Sequence, residues 1–111
     1  MSITDNERLF DINNCLMGVW QSADNRYSFT FQSGDPKLGS FTNLDFFPKT
    51  GVPFIYYTLI VDGKVVLRII EGDERKKIAT DYFVNADCSI REMKLSNANG
   101  QEWFFNKVTS F

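Results

Sequence analysis

The sequence contains no histidine in any of its 111 positions. That removes the commonest general base, the Ser–His and Cys–His nucleophile pairs, and the commonest transition-metal ligand. A glycine-rich phosphate loop is missing as well. The acids Asp35, Asp62, Asp73, Glu74 and Asp87 fall in turns, where a solvated charged rim accounts for them without catalysis. The expectation is a protein that is not an enzyme, with no catalytic residue, no metal and no cofactor.

Basic runs are equally scarce. Arg75-Lys76-Lys77 is the longest, it stands beside Asp73 and Glu74, and the formal net charge is −2. Nucleic-acid binding needs a basic patch to neutralise phosphates, and anionic membrane surfaces make the same demand, so neither partner is expected. The longest apolar stretch, Val52 to Val61, is interrupted by Pro53 and Thr58 and is too short to span a bilayer. Met1 to Arg8 is polar and acidic and carries no signal-peptide core. As written the chain reads as cytoplasmic, or as secreted or periplasmic if a leader has been trimmed. Cys15 and Cys88 are too few for a disulfide framework and lack Cys-x-x-Cys spacing. Two reduced thiols are the expectation, and a single bridge from the N-terminal segment to a late turn is the alternative.

What the chain has in quantity is aromatic residues, eleven of them Phe. Phe and Tyr favour strands and bury much area per residue, so even a small core can stabilise a chain of this length. Residues 1–111 fit a single domain. Thr4 followed by Glu7 reads as a capping box, and Leu9, Ile12 and Leu16 recur at helical spacing. These predict a short helix over about 5–14, ending near Gly18.

Beyond Gly18 the period becomes alternating. Tyr27, Phe29 and Phe31 alternate with polar residues in the cleanest half-buried strand of the chain. Ser40 to Phe47 predicts the next strand, with a slip between Phe41 and Phe46 that suggests a bulge, and Pro48 to Gly51 a turn. Phe54–Val61 and Lys64–Glu71 are joined by Asp62-Gly63, the pair that best supplies positive φ in a two-residue hairpin. Lys77–Asn85, Ser89–Ser96 and Gln101–Val108 follow, and Val19–Ser22 brings the number of strands to eight. Connections this short permit only antiparallel neighbours. Pairing the first strand with the last abolishes the exposed edges. The fold class is therefore all-β, an eight-stranded antiparallel up-and-down barrel over about 18–108, with a two-sheet sandwich as the alternative.

Gly18-Val19-Trp20, standing after a short helix and at the first strand of an eight-stranded meander, resembles the lipocalins and the wider calycin group. The resemblance implies that Trp20 closes one end of the barrel. It also implies that a base from the end of the last strand, here Lys107, packs across the indole and hydrogen-bonds to the helical segment. The first connection, Ala23 to Asn25, is much shorter than a typical lipocalin lid, and no C-terminal helix follows. The likeness is thus to the compact bacterial lipocalin-like domains.

The aromatic rows supply the candidate ligand site: Tyr27, Phe29, Phe31, Phe41, Tyr56, Tyr82, Trp103 and Phe105. Such rows line a pocket for a small apolar or amphipathic molecule, or they simply fill the barrel. Arg91 shares parity with Met93 and Leu95 and is a candidate for pairing with a ligand carboxylate, or else lies at the strand end in water. Arg68, between Leu67 and Ile69, is expected to point outward. Finally, strands four and five are apolar on both faces, with Ile55, Tyr57, Leu59 and Val61 opposing Phe54, Tyr56 and Ile60. Something should cover their outer face: the helix, a second subunit in a homodimer, or a protein target. The function read from the residues is a non-enzymatic barrel that binds a small molecule. The alternative is a protein-interaction module of inhibitor or immunity type that uses that outer face.

Overall fold

Helix formation starts at Thr4, whose hydroxyl accepts a hydrogen bond from the Glu7 amide at 3.2 Å and satisfies one of the orphan donors of the first turn. The helix α1 runs Asp5–Leu16, one half-turn longer than the sequence suggests, because Leu16 is fully buried under the barrel. In the computed structural model, which describes residues 4–44, 51–72 and 75–110, eight strands follow. They are β1 (Gly18–Ser22), β2 (Tyr27–Phe31), β3 (Leu38–Asn43), β4 (Val52–Val61), β5 (Lys64–Gly72), β6 (Lys77–Asp87), β7 (Glu92–Ser96) and β8 (Glu102–Ser110).

Each strand pairs antiparallel with the next, and β1 pairs with β8, so the sheet closes as an up-and-down barrel. Closure removes every free edge, which decides against the sandwich. The Asp62-Gly63 turn behaves as its residues demand, with φ of 51° and 76°. The proposed bulge beyond Phe41 and the Pro48–Gly51 turn lie largely outside the described residues.

Register settles which faces point inward. Trp20 pairs with Phe29, Phe29 with Phe41, Tyr56 with Ile69, Leu67 with Tyr82, Leu95 with Trp103 and Met93 with Phe105. These rows form the core, in which Trp20, Phe31, Phe54, Tyr56, Leu67, Met93 and Leu95 are all almost completely shielded from water. Most ring pairs meet edge-on or tilted, as aromatic quadrupoles favour: Phe31 and Tyr56 lie 5.0 Å apart at 73°, and Phe29 and Phe105 5.3 Å apart at 67°, while Phe29 and Phe31 stack at 5.6 Å and 11°. Gly39 makes room for this packing, since a Cβ there would collide with the Phe54 ring.

Two expectations about coverage and redox state are corrected. Cys15 and Cys88 are joined in a disulfide, so the reduced pair expected from the sequence is not what the fold holds. The bridge ties α1 to the turn between β6 and β7 across 73 residues. Helix α1 lies over one end of the barrel, where Asn13 Oδ1 accepts from Thr58 Oγ1 at 2.8 Å and the Arg8 guanidinium donates to the Gly63 carbonyl at 2.9 Å. It does not cover the outer face of β4. Ile55, Tyr57 and Val61 there, with Phe83 on β6, keep between 36% and 44% of their surface in water.

Candidate functional site

The two ends of the barrel differ in chemistry. At the floor, Gly18 sits at φ +140°, and a side chain there would strike the Thr109 carbonyl, so the close approach of β1 to β8 requires glycine. Trp20 is wholly buried, and its Nε1–H donates to the Leu16 carbonyl at 2.9 Å. That carbonyl is one of the unpaired acceptors at the C-terminus of α1, so the indole both plugs the barrel and caps the helix. Lys107 reaches over the indole, its Nζ 5.1 Å from the ring centroid, and donates to the Cys15 carbonyl at 2.7 Å. Burial and then the charge of Arg91 pull the Lys107 ammonium below the usual lysine range. The carbonyl and the ring face act in the opposite sense. Gly18, Trp20 and Lys107 thus meet in one closure.

At the mouth the barrel is not filled. A cavity of about 240 Å³ opens there, lined by Tyr27, Phe29, Phe41, Tyr82, Leu95, Trp103 and Phe105. Two ring pairs frame it: Tyr27 stacks on Phe41 at 5.6 Å, and Tyr82 meets Trp103 edge-on at 5.8 Å and 85°. Burial raises the Tyr82 phenol above its ordinary range, and the Glu71 carboxylate adds to the effect. The turn beside the mouth is rigidly built. Ser22 Oγ donates to Asp24 Oδ1 at 2.6 Å and accepts from the Arg26 and Tyr27 amides at 3.0 and 2.9 Å. The Ser22 hydroxyl, followed by the Arg26 amide, holds the Asp24 carboxyl below the usual carboxylate range.

Six of the anticipated lining residues therefore surround one cavity: Tyr27, Phe29, Phe41, Tyr82, Trp103 and Phe105. Three do not. Phe31 and Tyr56 belong to the packed floor, where Phe31 contacts Phe54 and Tyr56, and the Tyr56 hydroxyl donates to the Gln32 carbonyl at 2.7 Å. Burial pushes that phenol up to about 12. Arg91 is not on a strand at all. β6 extends to Asp87, whose carboxylate accepts from the Ser89 amide, and Arg91 occupies the turn with φ +55° and faces solvent. Its apparent parity with Met93 therefore carries no meaning, since alternation holds only within a strand. Arg68 does point outward, where it makes two hydrogen bonds with Asp81 at 2.8 and 3.0 Å and one with the Tyr57 hydroxyl at 3.0 Å. Leu95 was missed as a lining residue, although its alternation with Met93 marks it as inward.

Among the described residues no group of three or more His, Cys, Asp or Glu side chains could hold a metal ion. No helix among them is long and apolar enough to cross a membrane. A scan against protein-family models finds no match, and neither curated proteins nor solved structures yield one.

Proposed function

We propose that this chain is a non-enzymatic binding protein that holds a small apolar or amphipathic molecule in the mouth of its barrel. One observation carries the reading: a cavity whose seven lining side chains are aromatic or aliphatic, above a floor that is densely packed. An apolar cavity of roughly 150 Å³ is already enough to take up benzene, whereas drug-sized ligands occupy roughly 300–1,000 Å³. A volume of about 240 Å³ therefore suits a molecule of one or two rings or a short branched chain. The closure built by Gly18, Trp20 and Lys107 supports a lipocalin or calycin-like assignment, because it has the geometry that the resemblance implies. The Cys15–Cys88 bridge supports an oxidising compartment, secreted or periplasmic.

The test is a titration with toluene followed by amide chemical shifts. Shifts concentrated at Phe41, Tyr82, Leu95 and Trp103, and abolished by Leu95→Trp in a variant whose circular dichroism is unchanged, are the expected result. Unmoved resonances at the mouth would sink the reading.

The uncovered outer face favours a second reading, in which a partner protein or a second copy docks on Ile55, Tyr57, Val61 and Phe83. Tyr57→Asp then abolishes the association seen by sedimentation, while the toluene response persists.

A further inference from the structure

The floor of the barrel is closed in two parts, by different means. Around β1 and β8, Trp20 and Lys107 seal it. Around β5 and β6 the earlier turns of α1 lie over a crevice of about 500 Å³. Ile12 of α1 shares that crevice with Val65, Val84 and Ala86, and all four are only half-buried. Register marks the last three as inward residues at this end: Val65 has the parity of Leu67, Val84 pairs with Leu95 and Ala86 with Met93.

Little holds those turns of α1 down. The Arg8 guanidinium donates to the Gly63 carbonyl and the Thr58 hydroxyl to Asn13, both beside β4. Among the described residues no hydrogen bond or ion pair joins α1 to β6 or to the turn after it. The Cys15–Cys88 bridge alone bonds the helix to that side. A helix of 12 residues is marginal in water by itself, so its tether decides whether it stays formed over the crevice. That tether is within reach of solutes, because Cys88 is exposed and both cysteines border two crevices on the surface. Exposed bridges exchange with thiols far more readily than buried ones.

We infer that the Cys15–Cys88 bridge is a latch on α1, opened by a dithiol reductant. One thiolate of the dithiol attacks the exposed Cys88 sulfur, forms a mixed disulfide with it and expels Cys15 as a thiolate. The second thiol then displaces Cys88. Two electrons and two protons pass to the cysteines, and the dithiol leaves as its own disulfide. Helix α1 then frays from its start to Asn13, while Leu16 stays buried with its carbonyl on Trp20. Ile12, Val65, Val84 and Ala86 become a second opening of the barrel, at the end away from the aromatic mouth.

Hydrogen–deuterium exchange tests the latch on the oxidised chain, on the same chain in dithiothreitol, and on Cys15→Ser combined with Cys88→Ser. In both open forms the amides from Leu9 to Asn13 are expected to lose their protection and label as fast as an unfolded chain. Those of β1, β2 and β8 are expected to stay protected. Reoxidation with glutathione disulfide restores α1 in the parent chain and not in the double variant. A bridge that persists in dithiothreitol, or α1 amides that stay protected once it is open, overturns the latch. So does protection lost along β1, β2 and β8 as well, which makes the bridge a staple of the whole fold.

Discussion

Replacing Trp20 measures how much the floor closure contributes to the fold. The side chain is fully buried, so Trp20→Ala removes the largest core ring and leaves a void that the closed sheet relaxes into only partly. Buried Phe or Trp to Ala changes cost about 3–5 kcal/mol. The Leu16 carbonyl also loses its donor, which adds about 1 kcal/mol, and Lys107 loses its ring face. The sum is about 4–6 kcal/mol, against a total stability of about 5–15 kcal/mol for a domain of this size. Trp20→Phe keeps most of the plug and loses the hydrogen bond, so it is expected to cost about 2 kcal/mol. Urea unfolding followed by far-ultraviolet circular dichroism reads both. With a slope of about 1.5 kcal/mol per molar urea, Trp20→Ala moves the midpoint by about 3 M, to the edge of spontaneous unfolding. A double-mutant cycle with Lys107→Met isolates the cation–ring contact, expected at about 0.5–2 kcal/mol. A Trp20→Ala cost below about 1 kcal/mol would refute the claim that the indole plugs the barrel.

Two further outcomes are expected. Cys15→Ser with Cys88→Ser releases a 73-residue span of chain and lowers stability by up to about 4 kcal/mol, read as a lower urea midpoint that added dithiothreitol lowers no further. Tyr56 is held protonated in the fold up to about pH 12 but ionises near pH 10 once unfolded, so the unfolded state binds fewer protons between those values. Stability should therefore be unaffected by this group below pH 10 and fall as pH rises towards 12. Tyr56→Phe should flatten that fall in alkaline urea titrations.

Much of this architecture is written locally. Tyr27, Phe29 and Phe31 announce a strand by alternation, Asp62-Gly63 announces a hairpin by its backbone preference, and Thr4 with Glu7 announces a helix start. The barrel follows from eight such strands joined by short turns, because closure is what leaves no edge unpaired. The site was legible only in part, for three physical reasons. Alternation says that Phe31 and Tyr56 face inward but not how deep they lie, and depth separates a packed floor from an open mouth. Arg91 was misplaced because the chain between β6 and β7 is a turn that includes it, and parity with Met93 and Leu95 holds only for residues within β7. The disulfide depends on α1 folding back over the barrel end, a long-range contact between Cys15 and Cys88 that no local pattern encodes. The doubly apolar fourth strand was visible in sequence. That α1 covers the barrel end, and leaves Tyr57 and Val61 in water, was not.

Native mass spectrometry of the chain purified gently from cells, before and after incubation with toluene, tests the central claim most directly. The predicted result is a monomer carrying one small non-covalent mass, shed on collisional activation and lost in the Leu95→Trp variant. A chain that stays bare under every condition, or a bare dimer broken by Tyr57→Asp, would contradict a ligand-binding mouth.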